Sequence, residues 1–447
     1  MYETVSVEER NKPAVGLIYQ HFANDAVSAS STRGMPLVRT VQETIPSEWT
    51  VAADIEAGIS AVMENIVAAL TTLLTAEEKS PKPMAVEKPH RIAFKGSLEE
   101  VNQFFYRRGW TDGLPVIPPT EEAVAEMLTG TDLAPDDVIA EMVPRRGKAT
   151  VEKIAINAVL AGALPTYMPL LIAGVQALVD PKSGPTGLAV STGSFAPLWI
   201  VNGPIRSALH INHSYGVLSP GDMANATIGR ALGLITKNIR GVRKGVEDMG
   251  ILGNPGKYTM VVAESEENSP WEPLHVEQGF NKEDSTITLA FCQSFAQLFP
   301  YGTDDKGILS TIIYNVMPAA SGMIVVMMAP PLAKAVASAG WTKRDIKAFI
   351  TENARVPWYR HPGYWGSARV SADDLQPLNA QDSSSIVRPT RNISDPIQVF
   401  VAGGLGSRVG LFSGSTRPSV TKKVALPANW DKLVQKYKGL VPTYQKY

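Results

Sequence analysis

Residues 322–350 read GMIVVMMAPPLAKAVASAGWTKRDIKAFI, and this stretch decides the fold class. An apolar run halted by a Pro-Pro pair predicts a strand. The alanine-rich stretch after it predicts a helix, Gly340 a turn, and TKRDIKAFI a second helix. Working outward, IQVFVAGGLGS at 397–407 is a strand running into a glycine loop. Upstream, Thr150 is placed to cap a helix over VEKIAINAVLAGAL. GLAVSTGS, LWIVNG, TMVVAES and STITLAFCQSF each have the look of a strand. Strands interleaved with helices predict an α/β body built on a mixed sheet, and no fixed-period repeat is present.

The N-terminal part differs in scale. AVGLIY, a polar helix-like stretch and PLVRTV predict strand, helix and strand. From Val51 to Leu74 the residues Ile55, Ile59, Val62, Met63, Ile66, Val67, Leu70 and Leu74 recur at helical spacing. This long amphipathic helix needs a partner for its apolar face. TAEEKSPKPMAVEKPH then mixes charge with prolines and lacks periodicity, as a linker does. The division is therefore a small partial α/β module over 1–75, a linker over 76–95 and a large α/β body over 96–447. The small module is marginal as an independent core and is expected to dock on the body or on another subunit.

Composition narrows the function classes. The 447 residues hold 42 Lys and Arg against 43 Asp and Glu, a formal net charge of -1, which offers no basic surface for nucleic acid. The sole cysteine, Cys292, excludes an internal disulfide framework and any thiolate zinc cluster, and fits a reducing compartment. The first residues, MYETVSVEERNKP, lack the apolar core of a secretory signal. The two long apolar stretches, Val159 to Val179 and Ile324 to Ala337, contain prolines, and the second also holds Lys334. Buried core elements explain them better than membrane spans do, and a cytoplasmic location is the expectation.

Three segments hold the candidate chemistry. In HINHSYGVLSPGDMANATIGRALGLITKNIRG, Ser219, Pro220 and Asp222 suit a helix start, and His210 and His213 lie just upstream, where exposed N–H groups favour an anion. They are either proton donors or ordinary loop histidines, and their spacing does not fit a helical zinc motif. In AESEENSPWEPLHVEQG, which follows the strand-like TMVV, Glu264 and His275 are candidates for a general base or a hard-metal ligand. The competing reading is a solvated acidic loop, against which Trp271 between two prolines argues for order. In VAGGLGSRVG the glycine spacing departs from a dinucleotide fingerprint, yet the loop can wrap an anion, with Ser407 and Arg408 adding donors. A plain tight turn is the alternative.

LGNPGKY lacks the glycine and the Ser or Thr of a phosphate loop. FFYRRGWTDGLPVIPPT pairs Arg107 and Arg108, suited to carboxylate or phosphate, while Trp110 and Asp112 can simply pin the loop. Arg230 is a further candidate anion clamp. Cys292 lies in a strand-like run and reads as an inert buried hydrophobe.

Two sets of passages carry a resemblance. FANDAVSASSTRGMPLVRTV followed by VAADIEAGISAVMENIVAALT resembles the closing half of the domain in proteins with the UGSC motif, a selenocysteine or cysteine followed by Gly-Ser-Cys. YRRGWTDGLPVIPPT, ANATIGRALGLITKN, LGNPGKYTMVVAESEENSPWEPLH and VFVAGGLGS resemble a domain associated with the same proteins. The chain departs from that family in having no Cys-Gly-Ser-Cys, so the resemblance implies a redox centre elsewhere and a second polypeptide that completes the N-terminal module. The expected function is a subunit of a hetero-oligomeric enzyme that acts on a small anionic organic substrate. The chemistry expected is acid/base or metal-assisted, of the carbon–heteroatom cleaving, lyase-like kind, with a divalent metal as the cofactor candidate. The alternatives are a reductive enzyme subunit whose thiol lies on the partner, and a non-catalytic scaffold.

Overall fold

The computed structural model describes residues 1–46, 51–81, 90–185, 187, 190–316, 323–354, 356–357, 386–387, 396–415, 417–438 and 440. The N-terminal module runs α1 (Tyr2–Glu8), β1 (Gly16–Tyr19), α2 (Ala23–Thr32), β2 (Thr40–Glu43), α3 (Ala52–Thr71) and α4 (Ala76–Lys79). Strands β1 and β2 pair in parallel, Gly16 opposite Thr40, with α2 as the crossover. The second strand begins later than PLVRTV suggests. Arg39, at its threshold, instead turns its guanidinium to the carbonyls of Ala69, Thr72 and Leu73, which terminate α3, and to Glu78 of α4 at 2.8 Å. Residues 76–79 thus form a capped helical turn tied back to the module, and the expected linker starts later than position 76.

The body adds α5 (Leu98–Arg107), α6 (Glu121–Leu128), the hairpin β3 (Val138–Met142) with β4 (Gly147–Thr150), α7 (Val151–Ala161), α8 (Met168–Val179), β5 (Ala196–Asn202), α9 (Ile205–Ala208), α10 (Met223–Asn238) and β6 (Val261–Ala263). It continues through α11 (Leu274–Glu277), β7 (Thr286–Cys292), β8 (Ser294–Leu298), α12 (Asp305–Asn315), β9 (Met323–Met328), α13 (Pro330–Ser338) and α14 (Lys343–Asn353). A short pair, β10 (Val356–Pro357) and β11 (Ile386–Val387), precedes β12 (Ile397–Val401), β13 (Val409–Ser415), β14 (Val420–Lys423) and α15 (Trp430–Tyr437).

Where the sequence predicts one mixed sheet, the described residues of the body form, beside two short two-stranded pairs, two four-stranded sheets, ordered β14-β7-β5-β6 and β12-β9-β13-β8. Each has one parallel pair, β5 with β6 and β9 with β12, and is otherwise antiparallel. Trp199, Val201, Ile287, Leu289 and Phe291 face α7, α8 and α10. The alternate residues Leu198, Ile200, Ala290 and Cys292 meet Val325, Met327, Phe400 and Phe412 of the second sheet. The other face of that sheet, Ile324, Val326, Val399 and Val401, packs on α12, α13 and α14. The order of layers is helix, sheet, sheet, helix. Strands β9 and β12 are covered on both faces, so MIVVMM and IQVFV show no polar alternation, whereas the edge strand β8 is largely exposed.

Local signals account for most of these elements. Thr150 accepts from Lys153 N–H at the start of α7, and Gly162, at φ 78°, ends it in the left-handed conformation. GLAVSTGS is not a strand among its described residues; it turns through Ser191–Ser194 before β5. Asp222 does occupy the position before α10, but its carboxylate accepts from Asn212 Nδ2 at 2.8 Å and caps no helix N–H. The N-terminal module meets the body through Ser28 of α2, which donates to Glu247 at 2.6 Å and accepts from Arg145 at 3.0 Å. No helix among the described residues is long and apolar enough to cross a membrane.

Candidate active site

The carboxyl ends of the two parallel pairs converge, because the backbone stitches the sheets together there. Ser265 N–H donates to Val401 O at 2.7 Å and Glu264 N–H to Val201 O at 3.1 Å, while Gly403 N–H donates to His213 O at 2.9 Å. The loops that follow β5, β6 and β12 therefore share one end of the sandwich with the His213 loop. Crevices at the carboxyl ends of parallel strands are where α/β folds bind ligands.

At the floor stands Glu264, the first residue after β6. Its Oε2 accepts from Asn202 Nδ2 at 2.6 Å and from Leu274 N–H at 2.7 Å. Glu266 Oε1 accepts from Asn202 Nδ2 at 3.0 Å and Gly203 N–H at 2.7 Å, and lies 4.0 Å from His275 Nδ1. Thr286 sits directly across the β5–β7 ladder from Asn202. Asn202, Glu264, His275 and Thr286 are each 0% exposed. Among the described residues Asn202 Oδ1, Glu264 Oε1, His275 Nδ1 and Thr286 Oγ1 have no hydrogen-bond partner, although buried polar atoms are nearly always paired.

Two buried cations frame this floor. Arg206 of α9 donates to Glu264 O at 2.6 Å and Gly203 O at 3.1 Å, and pairs with Glu266 at 3.0 Å and Glu267 at 2.8 Å. Lys343, at the start of α14, donates to Glu272 O at 2.7 Å and Glu277 at 2.8 Å, and its Nζ stands 3.8 Å from Glu264 Oε1, beyond hydrogen-bond reach. Burial pushes the Glu264 carboxyl above the usual range. The charge of Lys343, the Leu274 N–H and the Asn202 amide only partly oppose that rise. Trp271 donates from Nε1 to Trp341 O at 2.9 Å and anchors the 264–277 segment on the far helix layer, so this is an ordered structure and not a solvated acidic loop.

At the rim, His213 Nδ1 lies 3.1 Å from Ser265 Oγ, and Asn268 Nδ2 donates to the same hydroxyl at 3.0 Å. Burial holds His213 below the ordinary histidine value, aided by the Arg206 charge and opposed by Glu267 and Glu266. The shift favours the neutral imidazole. The ring of Tyr215 lies against Gly404, where a Cβ would collide with it. No backbone carbonyl among the described residues accepts from the N–H of Gly404, Leu405 or Ser407.

Of the residues singled out by sequence, Glu264, His275 and His213 come together, and the loop bearing Ser407 and Arg408 borders them. Arg408 is partly engaged, its guanidinium 4.4 Å from the Phe299 ring centroid and bonded to Ser407 O at 2.7 Å. His210 adopts a left-handed φ of 51° but shares no bond with Glu264, Ser265 or His213 among the described residues. Arg230 is no anion clamp, because Asp112 holds its fork at 2.8 and 2.9 Å and Pro115 O takes a third donor. Burial pushes the Asp112 carboxyl up, yet the bonds and charge of Arg230 outweigh it and leave it below the usual value. Arg107 is exposed at the end of α5 and Arg108 stacks 5.3 Å from the Phe104 centroid, and among the described residues neither joins the hydrogen bonds around Glu264 and His213. Among the described residues no group of three or more His, Cys, Asp or Glu is arranged to hold a metal.

Asn202, Arg206, Ser265, Thr286 and Lys343 escape a reading of the sequence. Only Asn202 has a local signal, the Asn-Gly-Pro turn that ends LWIV; the others acquire their roles through contacts across the sandwich. A recess of about 480 Å³ opens elsewhere, between α2, β2 and α3, lined by Val27, Leu37, Arg39, Ala68 and Glu78. It holds none of the candidate acid or base groups. No protein-family model matches the chain, and no curated protein is detectably similar to it.

Proposed function

We propose that this chain is an enzyme subunit that acts on a small anionic organic substrate by acid–base chemistry, with carbon–heteroatom bond cleavage as the reaction type. The observation that carries the reading is the set of four unpartnered buried polar atoms around Glu264 at the carboxyl ends of parallel strands. Buried atoms left without partners lose free energy unless something beyond folding uses them. Glu264 holds a transferable proton because burial favours its neutral form. His213 accepts a proton at the rim, and the Gly403–Arg408 loop receives the anionic group of the substrate.

A second polypeptide completing the N-terminal module is part of the same proposal. It is supported by α3, which has no buried residue and leaves Ile55, Met63, Val67 and Leu70 exposed. In the reductive alternative the thiol lies on the partner, in keeping with Cys292, whose thiol burial pushes up to about 12.

Proton transfer is detectable even while the product is unidentified. The intact assembly in heavy water is expected to exchange deuterium into members of a panel of small carboxylic acids, followed by proton NMR. Glu264→Gln should slow that exchange about 100-fold or more while leaving the melting profile intact. Exchange that proceeds equally fast in the variant removes Glu264 from the chemistry.

A further inference from the structure

Ser265 occupies a position with more chemical potential than a buried hydroxyl needs for packing. Its Oγ accepts from Asn268 Nδ2 at 3.0 Å and lies 3.1 Å from His213 Nδ1. With Asn268 as the donor to the oxygen, the hydroxyl proton is free to point at the imidazole nitrogen, which is the arrangement of an activated nucleophile and its base. Two residues along the chain from Ser265, Glu267 is held by the buried Arg206, Nη2 to Oε1 at 2.8 Å and Nη1 to Oε2 at 3.3 Å. The Arg206 hydrogen bond keeps that carboxylate below its usual value, so it is charged, and its charge acts on His213. A fixed negative charge near the base stabilises the imidazolium that forms when the proton arrives. Both ends of this row are fixed by backbone bonds, Ser265 N–H to Val401 O at 2.7 Å and Gly403 N–H to His213 O at 2.9 Å.

We infer that Ser265 is a nucleophile with His213 as its base, that the Glu267 carboxylate held by Arg206 supplies charge and not a contact to that base, and that the substrate is a small carboxylic ester. This rests on reading the cluster at the carboxyl ends of β5, β6 and β12 as an active site, and it names the substrate class and the attacking atom. In the first half, Ser265 Oγ bonds to the carbonyl carbon as its proton passes to His213 Nδ1. The carbon–oxygen bond to the alcohol then breaks, and the alcohol leaves with that proton. In the second half, water gives a proton to His213 and its oxygen bonds to the acyl carbon. The serine oxygen departs, recovering the proton, and the carboxylic acid is released. No oxidant, reductant or further reactant is needed.

The test is covalent labelling of the full chain, in its native assembly, with a small alkyl fluorophosphonate, read by intact mass and peptide mapping. One phosphonyl adduct is expected, on the peptide containing Ser265, and none in Ser265→Ala. His213→Gln should slow labelling about 100-fold, and Glu267→Gln, at an exposed side chain that threatens no fold, about tenfold. The wild-type labelling rate should climb with pH and level off below the ordinary histidine value, a profile that a structural hydrogen bond does not generate. Absence of an adduct at Ser265 in the folded wild type overturns the inference, as does labelling that His213→Gln and Glu267→Gln leave unchanged. The two readings separate in Glu264→Gln. Loss of deuterium exchange there, with no adduct in the wild type, removes the nucleophile and leaves the acid–base reading standing. An adduct at Ser265 with exchange unaffected does the reverse.

Discussion

Glu264 is a carboxyl group folded into a place that disfavours its charge. Burial raises it above the unfolded value of 4.5, and Lys343 at 3.8 Å pulls it back only in part. The sign of the consequence is fixed. A group whose folded value is raised binds its proton more tightly in the native state, so its contribution to stability is full below the unfolded value and falls as pH rises through the folded one. Urea midpoints measured from about pH 4 to about pH 9 should therefore decline in the wild type relative to Glu264→Gln. Parallel curves would mean that the carboxyl is already ionised in the folded chain. That Glu264 follows a strand was legible in TMVVAES. That it is fully buried was not, because burial comes chiefly from β5 and α14, which are remote in sequence, and from the way α11 folds back on it.

Helix α3 is the element whose sequence and packing disagree most openly. Its apolar residues recur at helical spacing and the helix forms as expected, capped at its end by Arg39. Yet Met63 is 46% and Val67 51% exposed, because β1 and β2 supply only a narrow two-stranded sheet beneath it. Met63→Glu and Val67→Glu should consequently change the stability of the isolated chain by no more than about 0.5 kcal/mol, as surface substitutions do. In native material the same substitutions should release any second polypeptide, read as a drop in mass by sedimentation. Retention of full mass would show that the partner docks elsewhere. Spacing announced the amphipathic face, but no pattern inside the helix states whether the covering surface belongs to this chain.

Taken entire, the body is held together by the seam between its two sheets. Phe400 and Phe412 are buried there with Met327, Leu198 and Ile200. Phe400→Ala should destabilise by about 3–5 kcal/mol, and both sheets should melt in one transition because the seam is common to them. Two separated transitions would show the sheets to be independent. By itself the sequence determined the α/β class, the strand-forming character of LWIV, TMVV, TITLAFC, MIVVMM and IQVFV, the helix start at Thr150 and the turn at Gly340, since propensity, capping and turn chemistry act over a few residues; that the helix begun at Thr150 stops at Gly162 came only with the structure. It also placed Glu264, His275 and His213 among the candidates. Tertiary structure alone decided that there are two sheets instead of one, that Arg230 is spent on Asp112, and that Ser265 meets His213. Those outcomes depend on which apolar faces find each other across the layers, and on which buried polar atoms that packing pairs or leaves without a partner.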